Sequence, residues 1–138
     1  MKRLILMRHA KTEPWIEGID DHGRALTPGG QKAASAMAAG LRTEGWTPNR
    51  VIVSSARRTR ETWACMAEAF PDCDVVVDEA LYLAGERGIM DLIADHDGVA
   101  TLMLIGHNPG LHDLAVRLVR EAGTSDHQAA LRLSSKLP

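Results

Sequence analysis

A membrane-spanning segment, a disulfide framework and a charge of one sign are all missing from this sequence. No apolar stretch approaches the ~18 residues that a bilayer-spanning helix needs. Met1-Lys2-Arg3 followed by Leu4-Ile5-Leu6-Met7 has the charge order of a signal peptide. Its apolar part is too short for one, and it runs straight into Arg8-His9 as a buried strand would. Only two cysteines occur, Cys65 and Cys73, and they form no CxxC pattern. Cys65 falls on an apolar helix face and reads as a small core residue. This usage argues against a disulfide-stapled secreted fold and sets the expectation of a cytoplasmic protein. Sixteen basic and 18 acidic residues leave a net charge of −2. That balance argues against nucleic acid as a partner and supplies no acidic tail. His22, His96, His112 and His127 form no HExxH or comparable cluster, so no metal is expected.

What is present is enough chain, 138 residues, for one domain with a sizeable core. Four apolar runs, at 4–7, 51–53, 75–77 and 102–105, are continuous rather than alternating, as in strands covered on both faces. Helical patterns separate them. Thr27 caps a helix that starts with Pro28 and carries an apolar stripe of Ala34, Met37, Ala38 and Leu41. Ser55 caps a second, with Trp63, Met66, Ala67 and Phe70 inward and Pro71 as its stop. A third turns Ile89, Leu92 and Ile93 inward. In the fourth, Asn108 caps, Pro109 takes the first turn, the stripe runs from Leu111 to Val119, and Gly123 closes it. The alternation predicts a single α/β domain over residues 1–138, layered α/β/α around a mostly parallel central sheet.

Ligands of such sheets bind beyond the carboxyl ends of the strands. Two motifs fall there, Met7-Arg8-His9-Ala10 and Ile105-Gly106-His107-Asn108-Pro109, far apart in the chain. A neutral imidazole can attack phosphorus and carry the phosphoryl group as an N–P intermediate, which makes His9 the candidate nucleophile. Arg8 and Arg58 are candidate clamps, because arginine offers paired donors to phosphate oxygens. Arg58 would sit in the first turn of its helix, where the dipole disfavours a cation, and a bound anion would remove that conflict. Arg57 and Arg60 compete for the same role. His107, when charged, can donate to an equatorial phosphoryl oxygen. Asn108 and Thr12 are further candidates for the phosphate-binding rim. The general acid stays open among Asp21, Glu79 and Glu86, all in predicted loops.

The Arg-His-Ala segment, the stretch Ser54-Ser55-Ala56-Arg57-Arg58-Thr59-Arg60-Glu61-Thr62 and Gly106-His107-Asn108-Pro109-Gly110 resemble the histidine phosphatase (phosphoglycerate mutase-like) superfamily. The small SixA-type phosphohistidine phosphatases are the most similar branch. Asp20-Asp21-His22-Gly23-Arg24-Ala25-Leu26-Thr27-Pro28 resembles their Asp-x-x-Arg-Pro-Leu-Thr stretch, and Ala80-Leu81-Tyr82-Leu83-Ala84-Gly85-Glu86 their segment after the third strand. The resemblance implies transient phosphorylation of His9 and a phosphate pocket of Arg8, Arg58 and His107, with no metal or organic cofactor. It departs at Ser55, where proline is common, at Glu61, where glutamine is common, and at Ala25, which replaces the proline. Family members continue into one more strand near Lys136-Leu137-Pro138, so a C-terminal edge strand is expected to be lacking.

The expected reaction is removal of phosphate from phosphohistidine on a protein. A phosphohistidine expels imidazole, of reference pKa ~6.5, and needs less help from an acid than an ester does. The alternatives are a small-molecule phosphomonoesterase, with a small phosphorylated substrate, and a phosphate-binding module without turnover. A monomer is expected.

Overall fold

The structure is a computed structural model and describes residues 1–122. The expected closure of the last helix at Gly123, His127, and the tail at 136–138 with its expected missing strand lie outside the described residues.

Four strands form one parallel sheet: β1 (Arg3–Arg8), β2 (Arg50–Ser54), β3 (Asp74–Asp78) and β4 (Thr101–Gly106), in spatial order β1-β4-β2-β3. The helices are α1 (Pro28–Thr43), α2 (Arg57–Met66), α3 (Glu86–Asp95) and α4 (Gly110–Ala122). Alternate residues of β4 feed opposite faces. Met103 and Ile105 join Ala34, Ala38 and Leu41 of α1 and Trp63 and Met66 of α2 in one core. Leu102 and Leu104 join Ile89 and Leu92 of α3 and Leu111, Leu114 and Ala115 of α4 in the other. This is the expected three-layer α/β/α arrangement. Every residue of β4 is buried, and each fully buried Leu or Ile stabilises the fold by about 1.5–3 kcal/mol.

The apolar run of β3 is not buried. β3 pairs with β2 alone among the described strands, and Val75 and Val77 are 48% and 54% exposed. A continuous apolar run satisfies an edge strand as well as a central one, so periodicity could not tell them apart.

Thr27 caps α1 as expected, its Oγ1 accepting from Gly30 N at 2.9 Å. Gly30 also lets the chain close up: a Cβ there would come within 2.4 Å of the Lys11 carbonyl oxygen. Two expected caps differ. The N-cap of α2 is Ala56, and Ser55 instead bonds His22 Nε2 through its hydroxyl at 2.9 Å. Helix α4 begins at Gly110, past both Asn108 and Pro109, and the Asn108–Pro109 peptide is cis. Gly110 packs so closely on the Ala84 carbonyl that a Cβ would sit 2.0 Å from it.

Helices following β1 and β2 cover one face, and the helix following β4 covers the other. The loops leaving β4 and its two neighbours therefore diverge. This opens a crevice at the carboxyl end of β4, where sheets of this type bind ligands.

Candidate active site

The parallel register pairs Arg8 of β1 with Gly106 of β4, and His9 N donates to Gly106 O at 3.1 Å. His9 and His107 each follow one member of that pair, so the two rings stand abreast, with centroids 5.4 Å apart. Both residues are buried. His9 Nδ1 lies 2.8 Å from the Ala10 carbonyl oxygen. A carbonyl only accepts, so Nδ1 carries the proton and Nε2 keeps its lone pair. Burial is the main cause that pushes His9 down to about 4, with the charges of Arg58, Arg8 and Arg24 adding to it. At neutral pH the ring is an uncharged base.

His107 is held from both sides. Arg58 Nη2 donates to its Nδ1 at 3.2 Å, so Nε2 bears the proton and donates to Ser54 Oγ at 2.7 Å. Burial, then the Arg58 charge, pushes this ring down to about 3. An arginine donor and an imidazolium cannot share that nitrogen, so this geometry holds His107 neutral. An anion between them would supply the charge that favours protonation.

Arg58 lies in the first turn of α2, as expected, and is buried. The anion opposing it is a residue of the chain. Nη1 donates to the Asp21 carbonyl at 2.7 Å and Nη2 to Asp21 Oδ2 at 3.1 Å. Asp21 is held as a carboxylate, down to about 2, chiefly by the Tyr82 hydroxyl, which donates to Oδ2 at 2.5 Å, and then by Arg58 and Arg24. Arg8 completes the pocket differently. Its Nε is buried and, among the described residues, is the one buried side-chain polar atom without a hydrogen-bond partner. Leaving such a donor unmet costs about 1–3 kcal/mol, which an oxyanion acceptor would recover.

The other expected residues lie around this centre or away from it. Thr12 accepts from Arg24 Nη2 at 2.9 Å, and its bridge to Leu26 closes the loop between them. Asn108 is exposed. Glu79 is exposed on a short 3-10 turn after β3. Glu86 is tied to Arg117 of α4 at 2.8 Å. Of the three acid candidates, only Asp21 touches the buried cluster. Arg57 and Arg60 face outward, Arg57 paired with Glu61 at 3.2 Å. Glu61 also accepts from Leu26 N at 2.9 Å, so its second oxygen fastens the loop onto α2.

Three contributors escaped the sequence reading: Ser54, Arg24 and Tyr82. Each had a signal. Ser54 ends a strand at the ligand edge, Arg24 lies three residues after Asp21, and Tyr82 is the only tyrosine in the chain, just past β3. Among the described residues, no group of three or more His, Cys, Asp or Glu side chains could hold a metal. No described helix is long and apolar enough to cross a membrane.

Known proteins are similar to this chain in sequence and in fold. The sequence model of the histidine phosphatase superfamily (branch 1) matches residues 4–82. An uncharacterized protein of Mycobacterium tuberculosis is 35% identical over 133 residues, covering 96% of this chain and 81% of its own. A solved structure from Agrobacterium tumefaciens, assigned as the phosphohistidine phosphatase SixA, superposes with a TM-score of 0.80 at 30% identity, covering 95% of this chain and 83% of that one. The protein histidine phosphatase SixA complexed with tungstate gives a TM-score of 0.72 at 25% identity, over 83% of this chain and 75% of that one.

Proposed function

Because this chain belongs to the histidine phosphatase superfamily, branch 1, we propose that it removes phosphate from phosphohistidine on a protein, through a phosphorylated His9. The observation that carries this reading is the pairing of His9, its Nε2 lone pair available, with the buried and unpartnered Nε of its neighbour Arg8. A nucleophile and an orphaned cation donor at one strand end suit a phosphoryl group, whose transfer is mostly positioning and charge stabilisation.

In the first step His9 Nε2 bonds to phosphorus as the bond to the leaving nitrogen breaks. Arg8 and Arg58 take phosphoryl oxygens, and His107, whose proton affinity the arriving dianion raises, takes a proton from solvent and donates to another oxygen. Water then attacks the phospho-His9 and releases orthophosphate. What surrounds Asp21 supports this choice of substrate class. That carboxylate is ionised and engaged, while Glu79 and Glu86 lie off the cluster. A site without a ready acid suits imidazole as leaving group, since its pKa of about 6.5 lies far below that of an alcohol. The SixA likeness supports the same choice.

The test is brief exposure to a phosphohistidine protein, then detection of acid-labile phosphate on His9. His9→Ala should lose both the adduct and turnover, with a fall in kcat of about 10⁴-fold or more, as for other covalent nucleophiles. Phosphate binding without an adduct would identify a binding module. A far higher rate on one small phosphomonoester than on phosphohistidine protein would overturn the substrate.

A further inference from the structure

Both carboxylate oxygens of Asp21 are already acceptors. Arg24 Nη1 covers Oδ1 at 3.3 Å, and Arg58 Nη2 covers Oδ2 at 3.1 Å. The third contact differs in origin. The Tyr82 hydroxyl donates to the same Oδ2 at 2.5 Å, within the range of a charge-assisted bond. Tyr82 enters from the segment after β3, next to the buried Leu81. Its ring meets His22 at 4.9 Å and His107 at 5.4 Å, both edge-on, which keeps the hydroxyl aimed at Asp21. A proton placed on Oδ2 would face the hydrogens of two donors, so Tyr82 and Arg58 together close that oxygen to protonation.

We propose that Tyr82 is a specificity-determining residue: by donating to Asp21 it keeps that carboxylate an acceptor clamped on Arg58, and so restricts the site to leaving groups that depart without a proton from the enzyme. The proposal rests on the phospho-His9 reading. A phosphoimidazole takes its proton from solvent on the second ring nitrogen. Its P–N bond then breaks, with the electron pair leaving on a neutral imidazole. An ester oxygen must carry that pair out as an oxyanion unless a neighbouring acid protonates it. Removing the Tyr82 hydroxyl frees one acceptor site on Asp21, where the carboxylate takes a proton from solvent and passes it to the ester oxygen as the P–O bond breaks.

The experiment compares kcat/KM, which covers the steps through leaving-group departure, for phenyl phosphate and p-nitrophenyl phosphate. The proteins are the wild type, Tyr82→Phe, Asp21→Asn and the double variant, each checked for an intact fold by circular dichroism. Tyr82→Phe should raise the phenyl to p-nitrophenyl ratio at least tenfold, and the double variant should return it to the wild-type value. An unchanged ratio overturns the proposal, as does an equal loss on both substrates. A raised ratio that survives Asp21→Asn also overturns it, because the effect would not pass through Asp21. Failure of the wild type to form phospho-His9 overturns the phosphatase reading itself, whereas turnover with an unchanged ratio overturns this proposal alone.

Discussion

The two halves of the site are built by different physics. His9, His107 and Ser54 sit at strand ends, buried, and their positions follow from the β1-β4-β2 ladder beneath them. Asp21, Arg24 and Tyr82 come from loops, are partly exposed, and are held by side-chain hydrogen bonds. Arg58 joins the halves, touching His107 on one side and Asp21 on the other. The contrast teaches a division of labour. Strands set where the proposed nucleophile, His9, stands, while loops set which groups around it are charged.

Among changes that bear on this contrast, breaking the join should have the largest effect. Arg58→Ala removes the buried cation proposed to hold the phosphoryl group and is expected to lower kcat/KM on p-nitrophenyl phosphate by about 10²–10³-fold. Steady-state kinetics checks this. A loss below about fivefold would mean that the two halves work without their link.

Acid should expose the strand-borne half. The folded protein keeps His9 and His107 neutral down to about 4 and about 3, against an ordinary 6.5. Below pH 6.5 the unfolded chain therefore binds more protons than the folded one, and stability falls with pH until the folded pKa values are passed. Asp21, lowered to about 2, acts in the same direction at still lower pH, since its stabilisation is lost as the carboxylate is protonated. The melting temperature of the phosphate-free protein should drop steadily from pH 7 to pH 4.5, and His107→Gln should flatten the slope. A flat wild-type profile would show that the histidines charge freely. The same depressed value places the acid limb of kcat/KM due to His9 well below pH 6.5.

The smallest effect should come from the loop's anchor. Thr27 caps α1, and its backbone N–H reaches Lys11 O at 2.9 Å. Thr27→Ala is expected to cost about 1 kcal/mol in urea denaturation.

The strands were legible because a continuous apolar run survives without its neighbours, and α1 because proline, threonine and the stripe agree. The exposure of β3 was not legible, since Val75 and Val77 read alike at a centre or an edge. Nor was the fate of Ser55, whose capping competence lost to a bond with His22 from a distant loop. The conflict of Arg58 with its helix dipole was visible in the sequence and pointed to a bound anion, whereas the carboxylate that meets Arg58 in the structure belongs to the chain itself. That Asp21 is the residue opposite Arg58 depended on the fold of the loop closed by Thr12 and Leu26.

By itself, then, the sequence determined the element types, the layering and the residue chemistry at each strand end, because these depend on local patterns of polarity. Only the tertiary structure decided that Arg8 pairs with Gly106, which sets two distant histidines abreast, and that Tyr82 and Arg58 meet on one carboxylate. Register and long-range hydrogen bonding are properties of the assembled sheet and its loops, and proton positions follow from them.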